Sequence, residues 1–165
     1  MKDLGDDNLV HLDNSIQIIH PKPRPNQLAK SGDIIFRSRG QTNTAALLQE
    51  DVENTIVAAP LFRVQPDIKK VLPEYLVWWI NQPASQAYLA SRSKGTSVNM
   101  VGKQALETLE IKLPPLPQQQ KITRIVNLAR QEQQILEQIQ VCKSAHIQAV
   151  LMQITSCQTN KEPLK

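Results

Sequence analysis

Hydrophobic and polar positions divide the chain into two unlike regions: short apolar runs separated by turn chemistry, then one long periodic stretch without breaks. The first region stays polar until residues 15–19, Ser-Ile-Gln-Ile-Ile, which predict a short strand. His20-Pro-Lys-Pro-Arg-Pro25 follows, and its alternating prolines exclude a helix or a central strand, leaving an extended basic loop. Ser31-Gly-Asp33 predicts a tight turn that releases the chain into a buried strand over 34–36. A polar loop over 37–43 separates it from a second strand-like run over 44–48. After an acidic turn over 49–54, residues 55–59 and 61–64 predict one or two strands interrupted by Pro60.

Proline then marks where helices begin. Pro73 and Pro83 each suit a first helical turn, where no intrahelical N–H bond is lost, and Glu74 favours the positive end of the helix dipole. The pattern predicts helices over 73–81 and 83–90, a turn over 94–97, a short helix over 102–107 and a strand over 109–113. Pro114, Pro115 and Pro117 end this region, and from residue 118 to about 156 there is neither Gly nor Pro. Within that stretch Ile125, Leu128, Glu132, Ile135, Ile139, Cys142, His146 and Ala149 alternate spacings of three and four, the coiled-coil period. A second stripe adjoins it: Val126, Ala129, Leu136, Ile147, Val150 and Ile154. Two stripes make a face too wide for a two-stranded seam, so the helix is predicted to pack on more than one surface. The predicted class is α+β. A mixed β-sheet domain with short helices occupies 1–116, a long coiled-coil-like helix 117–157, and a disordered tail 158–165.

Composition changes this picture little. A chain of 165 residues buries one ordinary core, and with two Phe, two Trp and two Tyr that core must be built from Leu, Ile, Val and Ala. The net charge of +4 leans towards polyanions and fits a solvated surface equally well. Cys142 and Cys157 stand too far apart on one helix to bridge within it, so no disulfide framework is expected, which fits the cytoplasm. No run approaches the ~20 apolar residues of a membrane span, and residues 1–7 have no signal-peptide core. No membrane partner is expected.

Catalytic chemistry has no visible address. His11, His20 and His146 lack metal-ligand spacing, and His146 lies on the coiled-coil stripe as a register-setting polar residue. Gly95-Thr96 lacks the flanking glycines and lysine of a phosphate-cradling loop. Neither cofactor nor metal is expected, and the chain reads as a non-enzyme. The loops are more informative. Arg37, Arg39, Gln41 and Asn43 follow a buried strand closely; Arg pairs bidentately with guanine, and Asn and Gln with adenine, so this mix suits base-edge reading. Arg92, Lys94, Thr96, Ser97, Asn99 and Lys103 bring cations and hydroxyls suited to holding phosphates. Composition alone favours a solvated polar turn for the first set and fits one as well for the second, and Lys22 with Arg24 forms a weaker basic arm. Tyr75, Trp78 and Trp79 are read as core in preference to a base-stacking platform. Ile125, Leu128, Ile135, Leu136, Ile139, Ile147 and Val150 form the expected partner or dimer face; a core helix folded back on the domain is the alternative.

Together these residues resemble the DNA-specificity (S) subunit of type I restriction-modification systems, from about residue 28 to 136. The most specific portion is Leu113-Pro-Pro-Leu-Pro-Gln-Gln-Gln-Lys-Ile122. It resembles the junction between a target-recognition domain and a spacer helix, where a Pro-Pro-Leu run precedes Gln-x-Ile, here Gln120-Lys-Ile122. Gly32-Asp-Ile-Ile-Phe36, Leu72-Pro-Glu-Tyr-Leu76 with Asn81, Lys94-Gly-Thr-Ser-Val-Asn99 and Leu109-Glu-Ile-Lys-Leu113 match further family segments in order. The resemblance implies a non-catalytic module that binds double-stranded DNA sequence-specifically. Such a module positions methyltransferase (M) subunits and, through them, a restriction (R) subunit. Members of this family usually carry two recognition domains and two spacer helices, and their domain begins some tens of residues earlier. The expectation is therefore a half-subunit that forms a homodimer through its helix, or a remnant. Two rivals stay open: an assembly module that touches no DNA, and a small nuclease using Asp33, Glu50, Asp51 and Glu53 as metal-binding carboxylates.

Overall fold

A computed structural model describes residues 4–5, 7–12, 27–40, 43–50, 55–93 and 99–158. The expected strand over 15–19, the basic arm at Lys22 and Arg24, most of the acidic turn and the turn over 94–97 lie outside these residues, as does nearly all of the tail. Two compact units emerge, Met1–Thr123 and Arg124–Lys165.

The first unit is built on a three-stranded sheet in the order β2-β1-β3, with β1 at Ile34–Arg37, β2 at Ala45–Leu47 and β3 at Leu61–Val64. Both pairings are antiparallel, Phe36 facing Ala45 on one side and Phe62 on the other. A parallel bridge, Leu9 to Leu47, lies against β2, where Val10 N–H donates to the Leu47 carbonyl and Leu47 N–H to the Asn8 carbonyl. β1 reads as a continuous apolar run because both of its faces are covered. Ile34 and Phe36 point into the main core with Leu47, Tyr75, Val77, Ile80 and Leu89. Ile35, one residue out of phase, packs with Leu4 and Ala46 on the opposite face. Gly32, at φ +86°, makes the turn into β1 in a backbone region costly for any residue with a Cβ.

Helices α1 (Pro73–Ile80), α2 (Pro83–Ser91) and α3 (Lys103–Glu107) follow, α1 and α2 each starting at its proline. Tyr75, Leu76, Val77 and Ile80 bury the inner face of α1. Trp78 and Trp79 pack partly buried beside them, so the aromatic group is core. Burial raises the Tyr75 phenol above its ordinary pKa, which keeps it a donor. Asn81 ties the helix end to the sheet: its Oδ1 accepts from Ala45 N–H at 2.9 Å, and its Nδ2 donates to the Ala45 carbonyl at 2.8 Å.

Residues 109–113 form no strand. Leu109 and Ile111 face the core as the alternation requires, but the intervening carbonyls find side chains instead of a neighbouring strand. Trp79 Nε1 donates to the Glu110 carbonyl at 3.1 Å, the Tyr75 hydroxyl to Lys112 at 2.8 Å, and Gln119 Nε2 to Pro114 at 2.8 Å. The segment has the alternation of a strand, but its carbonyls are met by side chains and not by another backbone.

The long helix α4 spans Leu116–Gln158, 43 residues, about 65 Å of rise. It begins ahead of the expected start, with Pro117 in the first turn, where its missing N–H costs nothing. Gln119 is fully buried in that turn. Its Oε1 accepts from Leu72 N–H at 2.9 Å, and its Nε2 also donates to the Lys70 carbonyl at 2.9 Å. Ile122, one turn on, packs against the main core. From Gln131 to Ser156 every side chain is exposed.

Candidate nucleic-acid interface

The two polar loops singled out in the sequence are joined by backbone. Val101 N–H donates to the Ser38 carbonyl at 2.8 Å and Gly40 N–H to the Asn99 carbonyl at 3.3 Å, around an antiparallel bridge between Arg39 and Met100. Ser38 is fully buried and holds the other side of the loop, donating both its N–H and its hydroxyl to the Pro60 carbonyl. Residues 38–40 therefore sit between two tethers, with Arg39, Asn99, Met100 and Lys103 exposed about them.

Not every candidate side chain is presented in this way. Asn43 is 7% exposed, its amide donating to the Arg37 carbonyl at 3.1 Å, while its own carbonyl accepts from Gln86 Nε2 at 2.9 Å. Arg37 is half-buried, with Nη2 donating to the Leu4 carbonyl at 3.4 Å. Both side chains shape the loop from behind. Gln41, Lys94, Thr96 and Ser97 lie outside the described residues. Lys103 Nζ meets Glu107 Oε1 at 3.1 Å on an exposed helix face, whereas among the described residues Arg39 and Arg92 pair with no carboxylate. An open concavity of about 630 Å³ adjoins the joined loops, lined by Tyr88, Arg92, Met100, Gly102, Gln104, Ala105 and Thr108.

Among the described residues no group of three or more His, Cys, Asp or Glu side chains is placed to hold a metal ion. Asp33 is buried against Arg63 (Nε to Oδ2, 3.7 Å) and also accepts from Lys30 N–H at 2.8 Å; Glu50 is exposed, and Asp51 and Glu53 lie outside the described residues. In the second unit, Ile125, Leu128, Ile135, Leu136, Ile139, Ile147 and Val150 are all exposed. Among the described residues no helix is long and apolar enough to cross a membrane.

Sequence reasoning missed Gln119. It chose Gln120 as the glutamine of the junction, yet Gln120 is exposed and Gln119 is buried. The signal was available in the helix phase: Gln119 lies three residues before Ile122 and so shares its inward face.

The family described as type I restriction modification DNA specificity domain matches residues 13–141, well over half of the chain. The chain belongs to this family. Within the specificity-domain family, the matched span takes in the joined loops, the Gln119 junction and the first part of α4. A relative is the type I restriction enzyme EcoBI specificity subunit of Escherichia coli, 25% identical over 122 residues. That alignment covers 74% of this chain and 25% of the relative. Among solved structures, the HsdS subunit from Thermoanaerobacter tengcongensis superposes with a TM-score of 0.63 at 20% identity, over 87% of this chain and 38% of that one. This likeness establishes the fold, an α+β specificity-domain architecture with a small antiparallel sheet, short helices and a long C-terminal helix. The chain spans a quarter of the curated relative and well under half of the solved one.

Proposed function

We propose that this specificity-domain chain binds duplex DNA sequence-specifically through the face formed by residues 38–40 and 99–103, and performs no chemistry of its own. The observation that carries the reading is the backbone pairing of Arg39 with Met100, which makes one surface of two loops far apart in sequence. Arg39 is exposed at that junction and suits a base edge, while Lys103 suits a phosphate. Asn99 is exposed between them. Arg37 and Asn43 hold the loop in shape. The exposed apolar stripes of α4 support a second role, contact with protein. Methyltransferase subunits are the partners that membership of this family favours, with a restriction subunit reached through them, and a second copy of the chain supplies another recognition face by homodimerisation along the same helix.

Salt titration of duplex binding tests the reading. The wild-type chain should show log affinity falling linearly with log salt, and Lys103→Ala should reduce that slope by about 0.9 while weakening binding alike on all sequences. Failure to bind any duplex at low salt contradicts the proposal and favours an assembly module working through α4. An unchanged slope in Lys103→Ala removes that residue from the phosphate contacts.

A further inference from the structure

Resting on the DNA-binding reading above, we infer that Arg92 is a specificity-determining residue of this face, reading a base edge, with Tyr88 as its positioning residue. The Arg92 guanidinium carbon lies 3.8 Å from the centroid of the Tyr88 ring. Packing over the ring restricts the guanidinium, and although Nη1 lies 3.5 Å from Ser91 Oγ, N–H donors along its edge stay able to bond outward. The ring beneath is itself fixed. The Tyr88 hydroxyl donates to the Thr108 carbonyl at 2.7 Å and lies 3.0 Å from Thr108 Oγ1, which in turn donates to the Gln104 carbonyl at 2.8 Å. Arg92, Tyr88, Thr108 and Gln104 thus form one connected group, and all four line the same open concavity.

A phosphate contact needs charge near the backbone and tolerates a mobile side chain; Lys103 on its exposed helix face fits that requirement. A bidentate contact to guanine favours a restricted guanidinium, and among the described residues Arg92 is the exposed cation with an aromatic ring under it. Gln104 is exposed at the wall of the same concavity, and its amide offers a donor and an acceptor to a neighbouring base. Base reading therefore extends from Arg39 towards the end of α2 and the start of α3.

Selection from a random pool of duplexes by the full chain tests the assignment, with Arg92→Lys, Tyr88→Leu and Tyr88→Phe beside the wild type. Arg92→Lys keeps the charge, so its salt slope should match the wild type, while preference at one guanine position falls about tenfold or more. Tyr88→Leu should relax the same position and no other, and Tyr88→Phe, which keeps the ring, should retain most of the preference. An intact motif in Arg92→Lys overturns the base-reading role and leaves the DNA reading standing. An intact motif in Tyr88→Leu overturns the positioning role alone. Selection of no motif by the wild type overturns the inference through the failure of the reading beneath it.

Discussion

Replacing Arg63 with alanine is expected to lower folding stability by about 3 kcal/mol, because it strands a buried carboxylate. Asp33 and Arg63 have side chains only 5% and 12% exposed, at 3.7 Å. The guanidinium also donates to the Leu28 carbonyl and to Gln65 Oε1, joining β3 to the segment that precedes the Gly32 turn. Removing the cation leaves the buried Asp33 side chain, among the described residues, with the Lys30 N–H as its remaining side-chain donor. At a urea m-value of roughly 1.5 kcal/mol/M, the unfolding midpoint should move down by about 2 M. Asp33→Asn combined with Arg63→Met should recover much of the loss, since an amide oxygen still accepts from Lys30 and no charge remains buried. A single variant within about 0.5 kcal/mol of wild type, in the range of ordinary surface substitutions, contradicts the account of this pair.

Gln119→Leu should cost a comparable amount, about 3 kcal/mol. The leucine fills the space yet satisfies none of the three backbone groups that the amide serves: Leu72 N–H and the carbonyls of Lys70 and Pro114. Gln118→Ala, at an exposed neighbour, should stay within about 0.5 kcal/mol. Urea melts of the two variants provide the comparison. Equal midpoints for both contradict the assignment of the junction to Gln119. The same amide links the first turn of α4 to the residues that lead into α1, which gives a physical reason for a proline-headed glutamine run at this point in the chain.

Much of the fold was legible because each element carried its own boundary. A glycine turn opens β1, prolines open α1 and α2, and the absence of Gly and Pro after Pro117 permits the uninterrupted run of α4. What escaped depended on partners distant in sequence. Residues 109–113 have the period of a strand, but nothing local tells whether their carbonyls meet another strand or the side chains of Tyr75 and Trp79. Asn43 has the residue type for an adenine edge, and the same amide serves equally well to bond the Arg37 carbonyl from inside the loop. The candidate face was legible only as two unrelated polar loops; the Arg39–Met100 bridge that unites them is a tertiary contact. The stack of Arg92 on Tyr88, four residues apart at the end of α2, has a local spacing, but the Tyr88 hydroxyl bond to Thr108 that fixes the ring is a tertiary contact.

Amide chemical-shift mapping of the isotopically labelled chain, titrated with duplex DNA at low salt, tests the joined-loop face most directly. The account predicts perturbations gathered at residues 38–40, at 99–103 and at Arg92, with the α1 residues Tyr75 to Ile80 and the exposed positions of α4 beyond Thr123 unchanged. No perturbation, or perturbations confined to α4 beyond Thr123, contradicts it.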